Sequence, residues 1–94
     1  MAKFAVRIEI HHPSSESNYK RLNRAMARAG FLRQVLLEDE EPHDLPLSQF
    51  EIITGASIDA VTLAVHGAAE FLGDGYTATI CEVASQRYLN LRPV

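Results

Sequence analysis

Residues 3–10, KFAVRIEI, alternate with period two: Phe4, Val6, Ile8 and Ile10 fall on one side, Lys3, Ala5, Arg7 and Glu9 on the other. One apolar side at this period is the pattern of a strand half-buried in a sheet. Such a strand needs cover for its apolar face, and the segment that follows can supply it. Pro13, Ser14 and Ser15 end the strand and offer an N-cap, with Glu16 well placed at the positive end of a helix dipole. Tyr19, Leu22, Met26 and Ala29 then recur at spacings of three and four, the stripe of an amphipathic helix, and Gly30 suits its C-cap.

The pattern repeats with variations. FLRQVLLE (31–38) reads as a second strand with large apolar residues on both faces, DEEPHDLP (39–46) as an acidic connection, and LSQFEIIT (47–54) as a third strand with Phe50 and Ile52 inward. Ser57 and Asp59 open a second helix whose stripe is Ile58, Val61, Val65, Ala68 and Leu72, widened by Leu63 and Phe71. GDG (73–75) stops it, YTATICEVA (76–84) is a fourth strand, and the tail from Ser85 has apolar residues enough for a short fifth. The order β-α-β-β-α-β, with right-handed crossovers, predicts an α+β fold of ferredoxin-like type. Its four-stranded antiparallel sheet has the first and third strands in the centre and both helices on one face. The other face is open. The second strand leaves either Val35 and Leu37 or Leu32 and Leu36 on it, and an uncovered apolar patch marks an interface. A homodimer through the open sheet face and the second strand is the expected partner arrangement.

With 94 residues the chain is expected to form one domain with a modest core. No apolar run approaches the roughly 18 residues of a membrane span. The amino terminus shows no apolar signal segment with a cleavage site, and Cys81 is the sole cysteine, so a cytoplasmic setting is expected. The net charge of −3 conceals a division: seven basic and two acidic residues up to Leu37, net +5, against two basic and ten acidic from Glu38 onward, net −8. Local field matters more than total charge for an anionic partner, so the division suits a basic binding face on an acidic protein, and equally a head-to-tail attraction between copies.

Three groups of residues resemble the GhoS antitoxin family: VRIEIHHPSS, then Tyr19, Leu22, Met26, Gly30 and Phe31, then Leu45, Pro46, Phe50, Ile52 and Thr54. The resemblance runs from about Phe4 to Ala60. It implies a small ferredoxin-like endoribonuclease acting on a toxin messenger RNA, akin to the small CRISPR-adaptation nucleases and virulence-associated protein D. Basic residues of the first helix handle RNA in such proteins, and Arg21 is the best-matched position, with Arg24 near it. One departure stands out. Related nucleases often carry an Asp at the end of the first strand, where two protomers share a metal; here that place reads Ile10-His11-His12. Imidazoles are not the oxygen ligands that Mg²⁺ prefers, so cleavage without a metal is expected.

Lys20, Arg24 and Arg28 are spaced i, i+4, i+8, with Arg21 beside them, and no acid lies between Ser17 and Gln34. Guanidinium groups bind phosphates bidentately, so this row suits a nucleic-acid backbone; the plainer reading is a solvated helix face. His11 and His12 suit proton transfer, with Arg21 offsetting the charge on phosphorus, against a plainer reading as exposed loop histidines. Ser14 and Ser15 read as caps, the acidic EDEEPHD as a solvated loop, and GDG follows a helix, the wrong context for a phosphate loop. No metal or cofactor is called for. An RNA reader of the aromatic-sheet type is set aside, because Lys3, Ala5, Arg7 and Glu9 offer no ring. Two function classes stay open: an RNA-acting, antitoxin-type endoribonuclease, and a non-catalytic dimeric module of ACT type with a small-molecule ligand at its interface.

Overall fold

The computed structural model describes residues 1–11 and 16–94. His12 and the capping serines Ser14 and Ser15 lie outside the described residues. The elements run β1 (Ala2–Ile10), α1 (Glu16–Arg28), β2 (Gln34–Leu36), β3 (Pro42–Asp44), β4 (Gln49–Thr54), α2 (Ile58–Ala69), a 3₁₀ turn (Glu70–Leu72), β5 (Tyr76–Glu82) and β6 (Arg92–Pro93).

The alternation in β1 is realised directly. Phe4, Val6, Ile8 and Ile10 are buried, and β1 is the central strand, antiparallel to β4 on one side and to β5 on the other. The register pairs Val6 with Phe50 and with Ile80. Both helices cover the apolar face, contributing Leu22 and Met26 from α1 and Val61, Val65 and Ala69 from α2. The first helix ends as its glycine predicts. Gly30 sits at φ 96°, a conformation an L side chain resists. Its N–H donates to the Ala27 carbonyl at 3.0 Å, and the Phe31 N–H donates to Met26 at 3.0 Å, a Schellman pair that drives Phe31 into the core. At the second helix Ser57 accepts from the Ala60 N–H at 3.2 Å, the expected cap.

The four-stranded sheet does not form. Among the described residues there are two three-stranded antiparallel sheets, β4-β1-β5 and β2-β3-β6. The expected second strand touches the first sheet only through a bridge between Leu32 and Glu51. Arg33 is the physical reason. Its Nη1 donates to the carbonyls of Gln49 (2.7 Å), Pro46 (2.8 Å) and Leu45 (3.3 Å), and its own carbonyl accepts from the Leu45 N–H at 2.8 Å. These bonds bind the chain to the 45–49 loop just where it would continue along β4. Residues 34–36 fold back instead on 42–44, and the supposed acidic loop becomes a strand with His43 and Leu45 buried. The tail supplies β6 to the same small sheet. Two residues of the expected second-helix stripe also differ: Leu63 is 71% exposed and Ile58 43%, so the stripe centres on Val61, Val65 and Ala69.

The other face of the main sheet is partly covered by the chain's own tail. Glu51, paired across from Ala5, is buried with its side chain only 3% exposed. Lys3 Nζ lies 3.0 Å from Glu51 Oε1 and donates to the Tyr88 hydroxyl at 2.7 Å. That hydroxyl stands 2.8 and 2.7 Å from the two Glu51 oxygens, and the Lys3 ammonium lies 5.2 Å from the Tyr88 ring centre. A buried carboxylate is tolerable only when paired and hydrogen-bonded, and this one is both. Burial pulls the Lys3 pKa down, but hydrogen bonds to Tyr88 and Glu51 outweigh it and hold it above a lysine's ordinary value. Burial, then the bond to Glu51, raises Tyr88.

Leu32 and Leu36 are 54% and 70% exposed, so it is the odd-numbered residues of 31–37 that turn inward. Leu36→Lys should therefore fold with its melting temperature nearly unchanged, whereas Phe50→Ala, at a fully buried site, should cost about 3–5 kcal/mol in denaturant titrations. Both raised pKa values belong to groups that keep a proton longer when folded. Their stabilisation is complete below the unfolded values of about 10.4 and 10, and is lost as pH rises through the folded ones. Tyr88→Phe should lower stability by about 1–3 kcal/mol near neutrality, and its deficit in melting temperature should shrink above about pH 10. A pH-independent deficit would show that the tail is held by packing alone.

Candidate nucleic-acid interface

α1 presents two surfaces. Leu22 and Met26 face the core, and the arginines face α2 across a shallow groove of about 550 Å³. One wall carries Arg21, Arg24 and Arg28; the other carries Gly67, Ala68, Glu70 and Phe71, with Ala25 between. The floor is open because its residues are small: a Cβ built on Gly67 meets nothing within 4 Å. Arg21 lies over the Phe71 ring, its guanidinium carbon 4.3 Å from the centroid, a cation–π contact between the two walls. Among the described residues none of the three arginines joins an ion pair; those that form are Lys3–Glu51, Arg7–Glu9 and His43–Asp39. Glu70 is the acid of the groove, and it leaves an excess of positive charge there.

The expected row is thus partly regrouped. The groove gathers Arg21, Arg24 and Arg28, spaced i, i+3, i+7, and Lys20 is exposed on α1 outside this lining. Phe71 was legible only as an apolar residue of the second-helix stripe. Its role beneath Arg21 depends on the 3₁₀ turn that follows α2, which periodicity does not reveal.

His11 stands apart from the arginines. Its backbone N–H donates to the Gly75 carbonyl at 2.7 Å, extending the β1–β5 pairing by one residue. Its ring Nε2 lies 2.6 Å from Thr77 Oγ1, on the sheet face away from the helices, and His11 does not line the arginine groove. A second histidine, His66, places Nδ1 3.1 Å from the Tyr76 hydroxyl, at the start of the same strand. Among the described residues no three His, Cys, Asp or Glu side chains come together as a metal-binding group. No helix among them is long and apolar enough to cross a membrane.

The family model described as Endoribonuclease GhoS matches residues 1–84. No curated protein matches the chain. The match spans both walls of the groove and the whole main sheet, and stops short of Tyr88.

Gly67 is an exposed helix position whose missing Cβ would meet only solvent. Gly67→Ala should raise stability by about 0.5–1 kcal/mol, read as a higher midpoint in urea, while leaving the groove passable. A loss of stability would mean that α2 approaches α1 more closely there than the open floor indicates.

Proposed function

The chain belongs to the GhoS endoribonuclease family, and we propose that it binds RNA along the groove between α1 and α2 and cleaves it. The observation that carries this reading is the wall of three arginines facing that groove, none of them in an ion pair among the described residues. Arg21, Arg24 and Arg28 hold successive phosphates, each guanidinium offering a planar fork to a pair of oxygens. Lys20, next to them on the helix, adds charge to the approach. Phe71 keeps Arg21 extended toward the ligand rather than folded back on its own helix.

The chemistry is assigned to the His11–His12 pair at the end of β1. One imidazole takes the proton of a ribose 2′-hydroxyl, the 2′-oxygen attacks phosphorus, and the bond to the 5′-oxygen breaks as that oxygen receives a proton. The products are a 2′,3′-cyclic phosphate and a 5′-hydroxyl. Arg21, the groove arginine nearest the start of α1, is assigned to offset charge on the phosphoryl oxygens. The strand end offers imidazoles in place of a carboxylate, so cleavage should persist in EDTA. Membership of the family supports an antitoxin role toward a toxin messenger, and a neighbouring gene for a small membrane peptide would support it further.

Changing Arg21, Arg24 and Arg28 together to Gln should weaken RNA binding and take about one unit per lost phosphate contact from the slope of log affinity against log salt. The paired His11→Ala, His12→Ala variant should bind normally and cut at least about a hundredfold more slowly. Binding unchanged in the arginine variant would return that wall to a solvated face. Cutting at the wild-type rate by the histidine variant would remove the pair from the chemistry, and a wild type that binds without cutting would favour a non-catalytic module.

A further inference from the structure

β5 is an edge strand: it pairs with β1, and no strand among the described residues lies beyond it. The opposite edge of the same sheet is capped at its middle, because Leu32 and Glu51 exchange backbone hydrogen bonds at 2.7 and 2.9 Å outside β4. Two bonds fix the phase of β5. The His11 N–H donates to Gly75, and the Val83 N–H donates to Lys3. In an antiparallel pair the bonded residues alternate, so the odd-numbered residues of β5 turn their backbone groups toward β1. The N–H and C=O of Tyr76, Ala78, Ile80 and Glu82 therefore point outward.

Sheet edges are normally blunted by lysine, proline, a bulge or a covering loop. Tyr76–Glu82 contains no lysine, proline or glycine, and its one charge, Glu82, is the last residue. The tail leaves it bare, since after Val83 the chain crosses to Glu51 and β3. Beside this edge lies an apolar shelf: Leu63, 71% exposed, lines a groove with Ala78, Ile80, His66 and Tyr76.

We infer that β5 pairs antiparallel with β5 of a second copy of this chain, about a twofold axis at Thr79. In this register Ala78 faces Ile80 of the copy and Tyr76 faces Glu82, so the outward groups are those that bond, two per pair. The strand satisfies its own complement. No like charges meet, because the two Glu82 residues lie at opposite ends of the pairing. Each carboxylate instead reaches the Tyr76 hydroxyl that already contacts His66. Ile80 of the copy covers the shelf under Leu63. Thr79 meets Thr79 across a non-bonded pair, on the sheet face away from the helices, where Cα atoms approach to roughly 4.5 Å. One strand and one shelf make a small interface, below about 1,200 Å², so a weak dimer of micromolar affinity is expected.

Thr79 is exposed, and a charge there leaves the core intact. Sedimentation equilibrium up to roughly 100 µM should show the wild type dimerising, a range that reaches a micromolar Kd. Thr79→Lys and Thr79→Glu should each dimerise about tenfold more weakly, because like charges face each other across the axis. An equimolar mixture of the two should recover at least wild-type association. With Cys81→Ser as background, Thr79→Cys should form an intermolecular disulfide on mild oxidation and Leu36→Cys should not, since only the former pair falls within disulfide reach. A monomeric wild type overturns the inference. So does a mixture no better than its components, or cross-linking through residue 36, which would place the contact on the Leu32–Leu36 patch.

Discussion

Every part of the main layer is hung on β1. It is the strand that both neighbours pair with, and its four inward residues are the floor on which both helices rest. The strict alternation of Phe4, Val6, Ile8 and Ile10 admits one facing only, because a slip of one residue would put Arg7 and Glu9 into the core. β4 and β5 inherit their facing from that constraint, and so does the position of α1 above them. The arginine groove is a consequence: α1 must turn Leu22 and Met26 down, which leaves Arg21, Arg24 and Arg28 along its flank toward α2.

What could be read in advance follows how local each determinant is. The first strand, the Gly30 stop, the Ser57 cap and the centres of the two apolar stripes are set within a few residues, and they stand where the pattern put them; Ile58 and Leu63 are the residues of the second stripe that do not. The second strand was misread because its fate rests on Arg33, whose hydrogen bonds reach carbonyls 12 to 16 residues on. Nothing in its own alternation signals that. Glu51 is a sharper case. An acid on the outer face of a central segment reads as solvated, yet it is buried beneath Tyr88, 37 residues away.

The candidate site divides along the same line. The absence of acids from 17–34 marked the basic helix, and its charge is indeed left free of ion pairs among the described residues. The members of the groove depended on α2 and the turn after it, which replaced Lys20 by Phe71 and Glu70 in the lining. His11 faces Thr77 rather than the arginines.

The centrality of β1 also governs the order of events during synthesis. β1 leaves the ribosome well before β5, which follows only after Ile10 has been separated from Tyr76 by the whole of α1, β2, β3, β4 and α2. At roughly 5–20 residues per second, that interval is on the order of seconds. Throughout it the nascent chain has its central strand with one side unpaired, shielded only by whatever α1 and β4 have begun to form. Contacts between such distant segments slow folding, and they make the last strand the one that completes the sheet. A messenger interrupted before Tyr76 would therefore yield a chain whose apolar core is open along its middle, a substrate for proteases and not a partially working protein.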